Sequence, residues 1–455
     1  MTAYGNALEM IGRTPLVELK RLDTGLCRLF LKLENQNPGG SIKDRIALSM
    51  IETAEREGVL TPGGTLIEAT AGNTGLGLAL VASQKGYRLI LVIPDKMAQE
   101  KIFHLRALGA EVRMTRSDVG KGHPEYYQDM AERLARETPG SFYVNQFANP
   151  ANPLAHETGT GPEIWQQMNH AVDAIVVGVG SGGTLTGLGR FLKRVAPKAK
   201  MILADPKGSV LAHMVADGRM VEAGSWLVEG IGEDFVPPNC DLSLVSEAFS
   251  VSDAESFATA RDLLHKEAIL AGSSTGTLLA AALKYCRAQS EAQRVVTIAC
   301  DSGNKYLSKM FNDYWMLGQG LLARARQGDL RDLIARRHVD QATITVSPTD
   351  SLLIAYQRMK LYEISQLPVL DRGKVVGVID ESDLLLAVYG HADKFLEPVA
   401  QAMTTRLEFV QVSQPLGDLA AVLGRHQAAL VMERGDFLGL VTRIDLLNHL
   451  RRSIA

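Results

Sequence analysis

The stretch NPGGSIKDR, from Asn37 to Arg45, runs from a turn signal into a helix start and carries a lysine just inside it. Pro38, Gly39 and Gly40 interrupt regular structure. Ser41 reads as the helix N-cap, and Asp44 stands three residues on, near a capping-box position. Ile42, Ile46 and Met50 recur at helical spacing, which puts Lys43 in the first turn. The positive end of a helix dipole disfavours a cation there, and burial would lower the lysine pKa further. A neutral amine is what imine formation requires. A solvated surface charge is an equally good reading of this position taken alone.

Three glycine-bearing loops carry further candidates. EATAGNTGLG (Glu68–Gly77) follows a strand pattern and opens a helix. Thr70, Asn73 and Thr74 add polar groups to the backbone N–H donors of that helix start, a seat for a carboxylate or phosphate. The same residues would also serve as ordinary caps. GVGSGGT (Gly178–Thr184) follows DAIVV. Gly178, Gly180 and Gly183 fit G-x-G-x-x-G, and a strand pattern ends in Asp205, so a dinucleotide fingerprint is formally present. Ser181, Gly182 and Thr184 add two hydroxyls and closer backbone approach, which suits a terminal phosphate monoester better than a pyrophosphate bridge. In AGSSTGT (Ala271–Thr277), Ser273, Ser274 and Thr275 read by themselves as helix caps.

These loops need elements to hold them. Strand patterns at Thr65–Glu68, Arg88–Ile93, Glu111–Thr115, Ala174–Val177, Met201–Ala204 and Val295–Ala299 alternate with helical ones such as Ile42–Glu57, Gly75–Lys85 and Glu100–Ala107. Such alternation predicts an α/β fold with mostly parallel sheets, whose ligands sit at the carboxyl ends of the strands. The character changes near Trp315. Residues 317–338 are polar and arginine-rich and read as a helical connector. After them LDRGKVVGVIDESDLL (Leu370–Leu385) recurs as MERGDFLGLVTRIDLL (Met432–Leu447). Two copies of a strand–helix–strand–strand–helix unit predict a small paired module, each copy with a hairpin turning at Arg-Gly.

The bulk properties exclude several classes. The 455 residues carry 48 basic and 51 acidic side chains, a formal net charge of −3, with 46% hydrophobic and 22% charged residues. No basic block predicts nucleic-acid binding. The longest apolar runs are too short to cross a bilayer, and the N-terminal residues lack a signal-peptide pattern. Cys27, Cys240, Cys286 and Cys300 form no C-x-x-C pair and read as reduced thiols of a cytoplasmic protein.

NPGGSIKDR, TAGNTGLG, NQFANPANP (Asn145–Pro153), GVGSGGT, EGIGEDFVP (Glu229–Pro237) and AGSSTGT occur here in the order found in the fold-type-II pyridoxal-phosphate β-synthases. The chain resembles that family over residues 4–315, and the C-terminal repeats resemble a pair of CBS domains. The resemblance implies two three-layer α/β subdomains in residues 1–316, a linker at 317–338, and a regulatory module at 339–455 with repeats at about 339–392 and 398–452. It implies pyridoxal 5′-phosphate as cofactor, with Lys43 as the internal-aldimine lysine and α-proton base. Asn73 matches the residue bonding the cofactor's 3′ oxygen. Gly180, Ser181, Gly182, Gly183 and Thr184 match the phosphate cup, and Ser274 the hydroxyl facing the pyridine nitrogen. Thr70, Gly72, Asn73, Thr74, Gln146 and Gly230 match the substrate-holding segments. A hydroxyl opposite the ring nitrogen makes the ring a weaker electron sink and favours loss of a β-substituent over transamination.

The implied reaction is β-replacement, joining L-serine and L-homocysteine into L-cystathionine through an aminoacrylate. NQFANPANP, with Phe147, leans toward the cysteine-synthase members, which use O-acetylserine and sulfide. EGIGEDF and the appended repeats lean toward the cystathionine-forming ones, with Glu233 assisting the leaving hydroxide. A nicotinamide-dependent oxidoreductase built on Gly178–Asp205 is the alternative of a different class. The animal members' haem segment has no counterpart here, so no haem and no metal are expected. Thr442 and Asp445 fit the T-x-x-D pattern with which CBS pairs hold an adenosyl ribose; the first copy has Asp380 where the second has Thr442. The resemblance also implies a homodimer or higher homo-oligomer.

Overall fold

A computed structural model describes residues 3–70, 72–95, 99–120, 122–322 and 327–451. The chain divides into two compact units, Met1–Met310 and Phe311–Ala455.

The first unit holds two sheets. Strands β1 (Leu16–Leu19), β2 (Arg28–Lys32), β7 (Ala174–Val177), β8 (Lys200–Pro206), β9 (Glu247–Val251) and β10 (Arg294–Ile298) form a six-stranded sheet in the order β1-β2-β10-β7-β8-β9. Strands β3 (Thr65–Ala69), β4 (Arg88–Pro94), β5 (Glu111–Thr115) and β6 (Ser141–Tyr143) form a second, in the order β5-β4-β3-β6. Only β1 pairs antiparallel, with β2. The rest are parallel because helical crossovers join them, and the interior strands β3 and β7 are buried from end to end, as both-faces-covered strands must be. The pattern search missed β1, β2, β6 and β9, which are short or edge strands with weak apolar alternation.

Four helices matter for the site: α1 (Lys43–Arg56), α2 (Asn73–Lys85), α3 (Gly183–Val195) and α4 (Ser273–Arg287). Helix α1 buries Ile46, Ala47, Met50, Ile51 and Ala54, and these pack with Leu66, Leu78 and Leu91 into the core of the smaller sheet. The expected Ser41 cap holds in part, since its Oγ accepts the Lys43 N–H at 3.3 Å, but the Asp44 half of the capping box does not form. Ile42, itself helical, is the cap residue, and the Asp44 carboxylate turns back to accept the Gly39 N–H at 2.6 Å. The cause is tertiary. Ile42 N–H donates to Cys300 O and Ser302 N–H to Gly40 O, so the approach to α1 is stitched to the segment after β10.

In the second unit both repeats have the expected order. A helix at Leu352–Tyr362, β11 (Gln366–Asp371), β12 (Lys374–Asp380) and a helix at Glu381–Val388 make the first, preceded by an isolated bridge at Val346. In the second, β13 (Phe409–Gln411), a helix at Leu416–Arg425, β14 (Ala428–Glu433), β15 (Asp436–Thr442) and a helix at Arg443–Arg451 follow in turn. Both hairpins turn with φ positive at each central residue, Arg372 and Gly373 in one and Arg434 and Gly435 in the other. That is the primed turn that matches strand twist. The expected helical connector is corrected. Among the described residues of 317–338 the only helix beyond Gly318 is a 3-10 turn at Leu330–Leu333, and Leu330, Leu333 and Ile334 are buried in the core of the second repeat. Those three apolar side chains are better satisfied in that core than along a solvated helix.

Candidate active site

A cavity of about 260 Å³ lies at the carboxyl ends of β3, β7 and β10, where the first turns of α1, α2, α3 and α4 converge. All of the residues nominated in this unit line it: Lys43, Thr70, Gly72, Asn73, Thr74, Gln146, Gly180, Ser181, Gly182, Gly183, Thr184, Gly230, Glu233 and Ser274. Residues up to 231 positions apart in the chain, Lys43 and Ser274, thus meet because parallel strands deliver their following loops to one edge.

Lys43 is held away from bulk water, and this burial lowers its pKa. The Asp301 carboxylate opposes the shift, as do Cys300 and Glu233 to the extent that they ionise. Desolvation, which no sequence pattern displays, is thus the main cause. Glu233 responds in the opposite sense: burial and the nearby Asp234 and Asp205 raise it to about 8, with Lys43 opposing.

The loop before α2 orients its donors. Gly72 N–H donates to Thr70 Oγ1 (3.1 Å), which leaves the Thr70 hydroxyl hydrogen for the cavity. Thr74 Oγ1 donates to Gln146 Oε1 (2.6 Å), which leaves the Gln146 amide N–H₂ as a donor. Glu68, buried behind this loop and raised to about 7 by that burial, accepts from the N–H groups of Ala69 and Gln146 and ties the two cavity-lining segments together. Asn73 is clamped: its Nδ2 donates to Asp301 Oδ2 (2.8 Å), and Lys305 Nζ donates to its Oδ1 (2.6 Å). Tyr306 donates to the same Asp301 oxygen. Asp301, Lys305 and Tyr306 escaped sequence reasoning. Their one signal was position, a polar run directly after a buried parallel strand.

In the third loop the hydroxyls do not cap α4. Ser273 Oγ accepts from Glu229 N–H (3.0 Å) and Thr275 Oγ1 from Cys300 N–H (3.1 Å), so they tie in neighbouring segments. Ser274 faces the cavity next to Cys300, whose thiol burial pushes up to about 12. Asp205 does not suit a ribose. It is fully buried, and it accepts the Ala212 N–H (2.8 Å) at the start of the following helix.

The cup at the start of α3 fits a phosphate. Gly182 holds φ at +86°, a left-handed conformation that turns successive N–H groups to one side. A Cβ on Gly180 would lie 2.6 Å from Gly230 O, so the loop closes only without side chains there. The donors are neutral: backbone N–H groups, Ser181 and Thr184. Among the described residues Lys43 is the one amine lining the cavity, and Ser274 offers a neutral hydroxyl. That donor set fits an aldehyde-bearing phosphate monoester.

Comparison with known proteins agrees. The family described as "Pyridoxal-phosphate dependent enzyme" matches residues 7–301, and the CBS domain matches 330–390 and 399–452. A cystathionine beta-synthase of Apis mellifera is 37% identical over 459 residues, covering 98% of this chain and 90% of that protein. The chain belongs to the cystathionine beta-synthase family of pyridoxal-phosphate-dependent enzymes. Cysteine synthase A of Escherichia coli is 42% identical, but over only 66% of this chain. The crystal structure of a hydrogen sulfide-producing enzyme from Fusobacterium nucleatum superposes with TM-score 0.63 at 37% identity, covering 67% of this chain and all of that one. Among the described residues no helix is long and apolar enough to cross a membrane.

The second unit holds a cavity of about 570 Å³ lined by Tyr314, Trp315, Thr343, Ile344, Thr442 and Asp445 among others. Thr442 donates through both N–H and hydroxyl to Asp445 Oδ2 (2.8 and 2.6 Å). In the first repeat Asp380 and Asp383 form a reciprocal capping box instead.

Proposed function

We propose that this cavity binds pyridoxal phosphate and carries out β-replacement, joining L-serine to L-homocysteine to give L-cystathionine. The observation that carries the reading is the meeting of a desolvated lysine, a neutral glycine-rich phosphate cup and a protonated carboxyl in one cavity, on a chain similar to cystathionine beta-synthases along its whole length. When bound, the cofactor supplies the electron sink that acidifies the α-proton of an amino acid and lets a β-substituent leave.

The residues then divide the work. Gly180 through Thr184 would hold the phosphate, Asn73 would bond the ring 3′ oxygen, and Ser274 would serve the ring nitrogen. Thr70, Gly72, Asn73, Thr74 and Gln146 hold the substrate carboxylate with N–H and O–H donors at the start of α2, and Gly230 borders the substrate. Lys43, its ammonium form disfavoured by burial, would attach the cofactor, and its freed amine would take and return the α-proton of the substrate. Glu233, mostly protonated at neutral pH, donates a proton to the departing β-hydroxyl.

Borohydride reduction followed by peptide mapping tests the attachment, which should fall on Lys43; label on another lysine refutes the site. Comparing serine plus homocysteine with O-acetylserine plus sulfide tests the substrates; preference for the second pair would make the chain a cysteine synthase.

A second proposal concerns the repeats. The Thr442–Asp445 pair fixes a carboxylate at the rim of a cavity that also offers Tyr314 and Trp315, which suits the ribose and base of an adenosyl ligand. We further propose a cytoplasmic homodimer that works without haem. Light scattering and an absorption spectrum lacking a haem band are the measurements that check it.

A further inference from the structure

Behind the phosphate cup lies a layer of side chains that reach no cavity surface. His156 is fully buried in a π-helical turn, His156–Thr160. Its Nε2 lies 3.2 Å from Thr184 Oγ1 and its Nδ1 lies 3.0 Å from Thr160 Oγ1. Asn152, 1% exposed, donates through Nδ2 to Ser181 Oγ (2.9 Å) and to Gln146 O (2.7 Å). The two hydroxyls of the cup are thus each touched from behind by one buried polar residue.

The backbone is built for this approach. A Cβ on Gly183 would lie 1.9 Å from Asn152 Oδ1. One on Gly187, a helical turn later, would lie 2.3 Å from Pro153 O and 2.7 Å from His156 Cβ. Two glycines on one face of α3 let the 152–157 segment press against it. Any side chain there would push Asn152 and His156 away from the cup.

We propose that Thr160, His156 and Asn152 are positioning residues that aim the Thr184 and Ser181 hydroxyl hydrogens at the cofactor phosphate. The inference rests on the assignment of Gly180–Thr184 as the phosphate cup. A phosphate without protons accepts only, so each cup hydroxyl must donate to it and accept from elsewhere. Asn152 supplies that donor to Ser181. For Thr184 the donor is His156 Nε2–H, which requires the tautomer with Nδ1 as acceptor, and the Thr160 hydroxyl donates to Nδ1 and selects it. Burial, with the Arg45 charge adding to it, keeps His156 neutral. A cationic imidazole would donate from both nitrogens and leave the Thr160 contact without its role.

The test uses the holoenzyme. Cofactor retention by equilibrium dialysis and the phosphorus NMR shift of the bound phosphate are compared for Thr160→Val, His156→Leu, His156→Gln and Thr184→Val. Thr160→Val and His156→Leu should each reduce retention about tenfold and move the resonance, as expected for loss of one hydrogen bond to a charged group. His156→Gln, which restores a donor near Nε2, should recover most of it. In a Thr184→Val background, Thr160→Val should add no further loss. If Thr184→Val weakens retention while Thr160→Val and His156→Leu do not, the inference fails and the cup assignment stands. If Thr184→Val has no effect, the cup assignment fails and takes the inference with it. An undiminished additive loss in the double variant refutes the relay in favour of plain packing, and failure of His156→Leu to fold leaves Thr160→Val to decide.

Discussion

Replacing Glu233 with Gln keeps the size of the side chain and a hydrogen-bond donor but removes the proton it can give. With its pKa raised to about 8, Glu233 is protonated in about ten molecules for each one ionised at pH 7. At pH 9 the ratio is inverted. If Glu233 protonates the leaving hydroxide, turnover of serine in the wild type should fall about tenfold from pH 7 to pH 9 through this group. Glu233→Gln should lower serine turnover by about 10²- to 10⁴-fold, the usual contribution of a general acid. O-acetylserine expels acetate, a stable anion that needs no proton, so the variant should turn it over within a few-fold of wild type. The assay is steady-state turnover of each donor amino acid with homocysteine as acceptor, from pH 6.5 to 9.5. Equal losses with both donors would mean that Glu233 acts through packing or binding. Unchanged serine turnover would assign the proton to another group, and either result refutes the reasoning.

Lys43→Ala should abolish turnover and leave the cofactor removable by dialysis, because no other amine among the described residues lines the cavity; a colour change under competing primary amines reads this directly. Arg45→Met should cost about 3–5 kcal/mol in urea unfolding followed by tryptophan fluorescence. Glu34, fully buried and bonded to Arg45 Nε at 2.7 Å, would lose its partner. Gly187→Ala should cost about 1–3 kcal/mol by the same measurement, since its Cβ would lie 2.3 Å from Pro153 O and force the 152–157 segment off the helix. Asp445→Asn should reduce calorimetric binding of adenosyl compounds by the full protein and leave basal β-replacement unaltered.

The loops were legible because their chemistry is local. Strand, glycine turn and helix start follow one another in EATAGNTGLG and GVGSGGT, and the backbone N–H groups of such a junction point outward whatever surrounds it. The repeats were legible by comparison within the chain itself, and the Arg-Gly pairs carry the turn type with them. Asp44 was misread because backbone pairing of the approach to α1 with residues 300–302, more than 250 positions away, turns its carboxylate to the Gly39 N–H instead. The 317–338 connector was misread because its polar composition hid Leu330, Leu333 and Ile334, which the second repeat buries.

The sequence by itself determined the α/β class, the two-part plan and the types of group available for chemistry. These depend on periodicity, turn residues and helix starts, and all of those act over a few residues. Only the tertiary structure decided that Lys43 is desolvated, that Glu233 keeps its proton near neutrality, and that Asn73 and Thr184 are gripped by Asp301, Lys305 and His156. Burial and hydrogen bonding are set by which distant segments pack together. A residue's protonation and orientation therefore belong to the fold and not to its neighbours in the chain.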